Sequence, residues 1–255
     1  MPKLKELASK ALLALGYSVR SKTKKALIQR SWQVSKSSSL SRAQERKLLT
    51  NSKSQLGQDI LALSTKGLDS PGYFVEFGAA DGVALSNSHI LEKHFGWSGI
   101  LCEPSKSWHK ALIENRSCVI DTRCVYSVSG AKIGFSENYV GELSTITSYA
   151  EPNSSGLLKR TTLSYEVETV SLENLLKDYN SPGFIDFLSI DTEGSEFEIL
   201  ESFDFNSYRF GVICVEHNYA DTREKIRKLL LANGYRQVHE DLSDFDDWYV
   251  QALSK

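Results

Sequence analysis

Residues 73–82 read YFVEFGAADG, an apolar run of five residues followed by a turn that contains Gly78 and Gly82. A short apolar run of this kind predicts a buried strand, and glycine lets the backbone turn tightly and approach a ligand closely. Glu76 places a carboxylate just before the turn, and the GxGxxG pattern of pyrophosphate-binding turns is absent. The stretch favours a ligand with a positively charged group, such as ammonium or sulfonium. A purely structural turn is the alternative.

Apolar runs and helical patterns alternate along the chain after this stretch. The apolar runs are Gly99–Cys102, either Cys118–Ile120 or Cys124–Val128, Val167–Val170, Ile185–Ile190 and Val212–Val215. The helical patterns are Ser86–Phe95, Lys106–Asn115, Leu172–Tyr179, Glu196–Glu201 and Thr222–Asn233, and two closing strands are predicted at Arg236–His239 and Trp248–Gln251. This order predicts an α/β fold with a mostly parallel, doubly wound sheet. Ligands of such sheets bind beyond the carboxyl ends of the strands, where functional residues are therefore expected.

Composition limits the classes of protein to which the chain can belong. Its 255 residues, 41% apolar and 24% charged, suit one globular domain with a small appendage. Of the 30 Lys and Arg, 13 lie in residues 1–53, together with only 2 of the 32 Asp and Glu, so residues 54–255 carry a net charge of −13. An acidic body disfavours binding to nucleic acid. No apolar run approaches the ~18 residues that a membrane-spanning helix needs, and the four cysteines form no CxxC pair, which favours a reducing, cytoplasmic compartment.

The basic N-terminal segment has an amphipathic pattern. Residues 3–15 read KLKELASKALLAL, whose apolar residues share one face of a helix that is predicted to end at Gly16. Three interpretations stay open: docking on the body, peripheral contact of residues 1–32 with the inner face of a membrane, or a mitochondrial transit segment. Ser31–Ser41 is serine-rich and is predicted to be a linker. We place the boundary near residue 50, with the arm and linker at 1–50 and the folded domain at 51–255.

Acidic residues follow several of the predicted strands. Glu103 ends the second apolar run, where a carboxylate can accept hydrogen bonds from ribose hydroxyls, and together with Glu76 it favours an adenosyl cofactor. The segments at the carboxyl ends of two later predicted strands, here called the exits of those strands, read IDTEGSE (190–196) and EHN (216–218). His217 is a candidate general base, and Asp191, Glu216 and Asn218 are candidate oxygen ligands of a divalent cation. The alternatives are a helix N-cap at the first exit and a structural histidine at the second.

A series of sequence blocks over residues 54–251 resembles the FkbM family of class I, S-adenosylmethionine-dependent methyltransferases. The blocks are SQLGQD (54–59), GYFVEFGAADG (72–82), SN (86–87), LEK (91–93), GWSG (96–99), EP (103–104), IDTEGSE (190–196) and EHN (216–218). Two positions depart from the family pattern: Ala80 replaces a frequent Asn, and Ser127 replaces a common Asp, which puts the adenine contact in doubt.

The resemblance implies a class I methyltransferase fold, with a seven-stranded, mostly parallel sheet whose last strand is antiparallel and helices on both faces. It also implies methyl transfer from S-adenosylmethionine to a hydroxyl, usually of a sugar, glycan or polyketide. The implied cofactor-binding residues fall into three groups. The methionine part would contact Glu76, Gly78, Ala79, Asp81 and Gly82, and the ribose would contact Glu103 and Pro104. The border of the same pocket would be formed by Gln55, Gln58, Asp59 and Asn87.

For the chemical step we nominate Asp191 and His217 as base candidates, with Glu193 and Glu216 positioning the acceptor or an ion. The acceptor is expected to be a small molecule or a glycan that faces segment 130–165, whose tyrosines Tyr139, Tyr149 and Tyr165 are either sugar-stacking or ordinary surface residues. A non-catalytic scaffold in a membrane-associated glycan-assembly complex and a nicotinamide-dependent oxidoreductase are the alternative functions.

Overall fold

The computed structural model describes residues 22–31, 40–138, 144–150 and 161–252, and of residues 161 and 162 the backbone only. The predicted helix at residues 3–15, most of the predicted linker, and Tyr139 lie outside the described residues. Within them, no helix is both long enough and apolar enough to cross a membrane.

The described helices and strands alternate through most of the chain. The helices are α1 (22–31), α2 (Arg42–Asn51), α3 (Gln58–Lys66), α4 (His89–Phe95), α5 (Lys106–Asn115), α6 (Leu172–Asp178), α7 (Glu196–Glu201) and α8 (Arg223–Ala232). The strands are β1 (Tyr73–Phe77), β2 (Ser98–Cys102), β3 (Val119–Asp121), β4 (Cys124–Tyr126), β5 (Lys132–Asn138), β6 (Thr145–Ile146), β7 (Thr161–Ser171), β8 (Phe184–Ile190), β9 (Arg209–Glu216), β10 (Tyr235–Val238) and β11 (Asp246–Gln251).

The main sheet has seven strands in the order β3-β2-β1-β8-β9-β11-β10. Its neighbours pair in parallel except at β11, which runs antiparallel to both β9 and β10. This confirms the predicted seven-stranded α/β sheet with its last strand antiparallel. The two closing strands form where the sequence predicts them, as β10 and β11.

Helices cover both faces of the main sheet, because successive residues of each buried strand point to opposite sides. On β1, Phe74 packs into a hydrophobic cluster with residues of α1 to α5, whereas Val75 packs into a second cluster with residues of α6, α7 and α8. Strands that are buried on both faces need the nearly continuous apolar runs that the sequence shows at β8 and β9.

A second sheet, here called the accessory sheet, has the strand order β4-β7-β5-β6. Val167–Val170 was predicted to be a strand of the single doubly wound sheet. This was wrong, because residues 161–168 of β7 pair antiparallel with residues 132–138 of β5, and the end of β7 pairs with β4 in the second sheet. Their inward-facing residues form a small hydrophobic cluster that includes Phe135 and Val167. In each of these strands polar residues alternate with the inward-facing apolar ones, so the sequence shows no continuous apolar run there.

Part of the basic N-terminal segment packs on the folded body. Leu27 and Ile28 of α1 are buried in the cluster that also contains Phe74. Arg30 donates two hydrogen bonds of 2.7 Å to the carboxylate of Asp241, although this pair is exposed and contributes little stability. The boundary near residue 50 and the membrane contact of residues 1–32 stay predictions.

Candidate active site

A cavity of about 480 Å³ lies at the carboxyl ends of the parallel strands. Its walls come from the exits of β1, β2, β8 and β9, from β11, and from β4, β5 and β6 of the accessory sheet. Strand β1 lies between β2 and β8, where the order of the sheet reverses, and ligands of open α/β sheets bind at this point. The volume is typical of a small-molecule site.

The cavity brings together twelve of the sixteen residues that were predicted from the sequence to bind the cofactor, to act in catalysis or to hold a cation. They are Gln55, Gln58, Glu76, Gly78, Ala79, Asn87, Glu103, Pro104, Asp191, Glu193, Glu216 and Asn218. Asp246 of β11 also lines the cavity and was not predicted.

The charge of the cavity wall has one sign. Six carboxylates line it, and the described residues of the wall include no Lys, Arg or His. The six are Glu76, Glu103, Asp191, Glu193, Glu216 and Asp246. Carboxyl groups attract a cationic ligand, whose charge favours their ionised form, and they repel phosphate, so the wall fits a sulfonium or ammonium group and disfavours a pyrophosphate.

Glu76 is buried at the end of β1, and three groups of the following loop hold its carboxylate. Ser86 Oγ donates at 3.1 Å, the backbone N–H of Asn87 at 2.7 Å, and Ser88 Oγ also donates. Because these residues serve Glu76, α4 begins at His89 and not at Ser86 as the sequence predicted.

Asn87 offers the cavity an acceptor that has no partner of its own. Its Nδ2 donates to Ser189 Oγ at 2.9 Å, and its Oδ1 is buried without a hydrogen-bond partner among the described residues. A buried unpaired carbonyl oxygen is unfavourable until a donor reaches it. An ammonium group in the cavity is a donor of this kind.

Glu103 connects the segment after β2 with the segment after β1 through hydrogen bonds. Its Oε2 accepts the backbone N–H of Ala80 and its Oε1 accepts that of Ser105, both at 2.8 Å. Burial raises the pKa of Glu103 to about 7. Each carboxylate oxygen can accept a second hydrogen bond, so Glu103 can still receive the two hydroxyls of a ribose.

The exits of β8 and β9 place three carboxylates together. Oxygens of Asp191, Glu193 and Glu216 all lie within 4.8 Å of one another. Burial raises the pKa of all three, to about 7 for Glu193 and about 8 for Glu216, and the neighbouring negative charges raise that of Asp191 further. Asp191 and Glu216 titrate as a coupled pair, because the negative charge of Glu216 opposes the ionisation of Asp191 and raises its pKa. Such a group can accept a proton from a substrate near neutral pH or hold a divalent cation.

Two further residues shape this end of the cavity. Asn218 Nδ2 donates to Glu216 Oε2 at 2.7 Å, so its amide serves Glu216. Asp246 Oδ2 accepts from Gln58 Nε2 at 2.5 Å and from the indole N–H of Trp248 at 3.3 Å. Burial raises the pKa of Asp246 to about 6.

Three nominated residues lie beside the cavity and are not part of its described wall. Asp59 is fully buried and accepts a 2.6 Å hydrogen bond from Ser54 Oγ. Asp81 Oδ1 accepts the backbone N–H groups two and three residues further on, both at 2.8 Å. The carbonyl of Gly82 accepts from Arg116 Nη1 at 2.9 Å. These contacts shape the loops around the cavity.

His217 also lies away from the described cavity wall. Its Nδ1 accepts the backbone N–H of Tyr219 at 3.0 Å, and its Nε2 lies 3.6 Å from Asp247 Oδ1. The side chain is only 1% exposed, and burial lowers its pKa, so the imidazole is neutral near pH 7. The geometry does not support the nomination of His217 as the base. It supports a structural role in the loop that follows Glu216.

The buried carboxyls predict how stability depends on pH. Folding raises the pKa of Glu193 and Glu216 above the ordinary value of 4.5, so the folded chain binds protons more readily than the unfolded chain. Their contribution to stability is complete below about pH 4.5 and is lost as the pH rises through 7 and 8. We expect the melting temperature of the ligand-free protein to fall between pH 6.5 and 8.5, as measured by differential scanning calorimetry.

Glu216→Gln provides the control, because its amide does not titrate. The melting temperature of this variant should fall less than that of the wild type between pH 6.5 and 8.5. Histidines with lowered pKa values, such as His89 at about 4, act mainly below pH 6.5 and in the opposite direction. A wild-type curve that is flat, or that parallels the Glu216→Gln curve, contradicts the prediction.

Comparisons with known proteins agree with this architecture. The family model of the FkbM methyltransferase domain matches residues 76–237, more than half of the chain. No curated protein sequence matches the chain significantly.

Solved structures with a related arrangement share little sequence with this chain. The FkbM methyltransferase of Methylobacillus flagellatus KT is 11% identical, with a TM-score of 0.46 over 90% of this chain and 58% of that one. The precorrin-6y C5,15-methyltransferase of Geobacter metallireducens GS-15 is 12% identical, with a TM-score of 0.42 over 76% and 87% of the two chains. The magnesium protoporphyrin IX methyltransferase of Synechocystis PCC 6803, solved with bound S-adenosylmethionine, is 9% identical, with a TM-score of 0.39 over 92% and 97%.

Proposed function

Because this chain belongs to the FkbM methyltransferase family, we propose that it transfers the methyl group of S-adenosylmethionine to a hydroxyl of a sugar, glycan or related small metabolite. The observation that carries the proposal is the charge of the cavity: six carboxylates and, among the described residues of its wall, no basic side chain. A cationic cofactor fits this wall, whereas the pyrophosphate of a nicotinamide dinucleotide is repelled by it. The oxidoreductase alternative therefore has no support.

The residues of the β1 and β2 exits fit the cofactor. Glu103 can accept the ribose hydroxyls, and the unpaired Oδ1 of Asn87 can accept from the ammonium group. Glu76 adds a buried negative charge on the same wall. When bound, S-adenosylmethionine supplies a methyl group already activated by its sulfonium sulfur.

The carboxylates of the β8 and β9 exits fit the acceptor. An acceptor hydroxyl held in line with the methyl group would gain an alignment that corresponds to ~7–11 kcal/mol of the barrier in well-oriented systems. The coupled pair Asp191 and Glu216 takes the hydroxyl proton, which contributes ~10²–10⁴-fold in rate. Glu193 lies beside this pair and contributes to the negative potential there.

The same charges restrict the acceptor. An alcohol that carries phosphate or carboxylate groups is repelled by the wall, and a neutral or amino sugar is not. A divalent cation held by Asp191, Glu193 and Glu216 is the alternative use of these carboxylates, in which the cation and not the pair would polarise the hydroxyl.

The test has two stages. Isothermal titration calorimetry of the full chain with S-adenosylmethionine and S-adenosylhomocysteine asks whether the cavity takes the cofactor, and the absence of heat from correctly folded protein refutes the proposal. Incubation with methyl-labelled S-adenosylmethionine and a fractionated host extract, with and without EDTA, then asks where the label goes. Transfer into neutral glycan or sugar fractions supports the proposal, and transfer abolished by EDTA favours the cation.

Binding without any transfer would favour the non-catalytic scaffold. Transfer into protein or nucleic acid would overturn the proposed acceptor class while leaving the methyltransferase activity in place. Each outcome is therefore assigned to one of the alternatives.

A further inference from the structure

One tyrosine of the accessory sheet contacts the loop that follows Glu103. The hydroxyl of Tyr165, on β7, accepts the backbone N–H of Lys106 at 3.0 Å and donates to Glu137 Oε2 at 2.6 Å. The preceding backbone N–H, that of Ser105, donates to Glu103 Oε1. Two consecutive N–H groups at the start of α5 are thus bound, one by Glu103 and the other by Tyr165.

The charges around Tyr165 strengthen this contact. Burial acts to raise the pKa of Glu137, but hydrogen bonds from Tyr165, Ser107 and Ser105 outweigh it and lower the pKa, so Glu137 is an anion. A hydroxyl that donates to a carboxylate makes a short, charge-assisted hydrogen bond. The ammonium group of Lys106 lies 4.2 Å from the centre of the Tyr165 ring.

Tyr165 is also connected to the cavity wall. Its ring centre lies 5.8 Å from that of Phe135, which lines the cavity. The backbone of Glu103 has other supports: its N–H donates to the carbonyl of Asp121 at 3.0 Å, and its carbonyl lies 2.9 Å from His109 Nε2. These two contacts hold Glu103 itself, whereas Tyr165 holds the next part of the backbone, where Ser105 joins Lys106, the first residue of α5.

We propose that Tyr165, held by Glu137, is a positioning residue for the nucleoside part of the cofactor, because it fixes the turn whose Ser105 N–H orients the carboxylate of Glu103. The inference rests on the proposed function, since it needs Glu103 to contact the cofactor. It assigns the accessory sheet a role at the cofactor end of the cavity, in addition to walling the acceptor end.

The first experiment measures the Kd of S-adenosylhomocysteine by calorimetry for the full-length wild type and for Tyr165→Phe, which removes only the hydroxyl. We expect the Kd to rise about five- to tenfold. Glu137→Ala should give a similar rise and replaces Tyr165→Phe if that variant does not fold. Tyr219→Phe is the matched control, because Tyr219 also donates to a carboxylate at 2.6 Å, that of Asp244, but lies outside the described cavity wall. Its Kd should stay within twofold of the wild type.

The second experiment separates positioning from a general loss of structure. In a Glu103→Gln background the carboxylate that Tyr165 is proposed to orient is already gone, so adding Tyr165→Phe should raise the Kd by less than twofold. The same five- to tenfold effect in both backgrounds, or no effect in either, overturns the inference. If the wild type itself does not bind S-adenosylhomocysteine, the proposed function fails and not this inference alone.

Discussion

Replacing Gly78 by Ala is expected to abolish detectable binding of S-adenosylmethionine. Gly78 has a φ of +71°, and a Cβ added there would lie 2.1 Å from the backbone oxygen of Asp191. No side-chain adjustment relieves a clash with backbone, so the exits of β1 and β8 must move apart. Because these exits form adjoining parts of the cavity wall, the cofactor would lose the contacts of both. Calorimetry with S-adenosylmethionine measures the loss, and circular dichroism shows whether the variant is folded.

Gly130→Ala is the matched control for this prediction. Gly130 has a similar φ of +75°, but a Cβ there meets no atom within 4 Å, and the residue lies outside the described wall of the cavity. Both variants carry the same backbone penalty, about 1–2 kcal/mol for an L-residue at positive φ. The difference between them is therefore the effect of the clash. A Gly78→Ala protein that binds the cofactor within threefold of the Gly130→Ala protein would show that the two exits need not touch.

Asp191→Asn is expected to lower turnover by ~10²–10⁴-fold while leaving cofactor affinity within about threefold. The amide keeps the size of the side chain but does not titrate, which removes the group proposed to accept the hydroxyl proton. Initial rates of label transfer into the acceptor fraction measure turnover, and calorimetry measures affinity. Glu216→Gln should lose a comparable factor, because the two carboxyls act as one unit.

The double variant Asp191→Asn, Glu216→Gln distinguishes a working pair from two independent groups. Removal of the second member of a unit has little further effect, so the double variant should be about as slow as either single one. Asp204→Asn, at an exposed aspartate outside the described cavity wall, should retain wild-type rates. Independent, multiplying losses would contradict the coupled pair, and wild-type turnover in Asp191→Asn would remove Asp191 from the mechanism.

Most of the main sheet and the acidic exits could be predicted from the sequence. Glu76 and Glu103 were found because Glu76 lies near the end of an apolar run and Glu103 follows the next one, and the carboxyl ends of parallel strands converge at one edge of the sheet. The same reasoning found Asp191 and Glu216. These assignments depend only on local pattern and on the geometry common to parallel sheets.

The errors have a different physical origin. His217 was proposed because it follows Glu216, but its N–H donates to the carbonyl of Phe245 at 2.9 Å and its Nδ1 accepts the N–H of Tyr219, which hold it outside the described cavity wall. Asp246 was not predicted because it is the first residue of β11. This strand is antiparallel to β9, so its first residue, and not its last, lies at the carboxyl ends of the parallel strands. The accessory sheet was missed because its pairing joins segments about 30 residues apart, and no local pattern records such pairing.

The six carboxylates of the cavity wall also bear on the end of the catalytic cycle. Methyl transfer turns a sulfonium into an uncharged thioether, so the spent cofactor carries one positive charge fewer than the fresh one. A wall whose described charged groups are all carboxylates binds the less positive molecule less tightly. Electrostatics therefore weakens product inhibition.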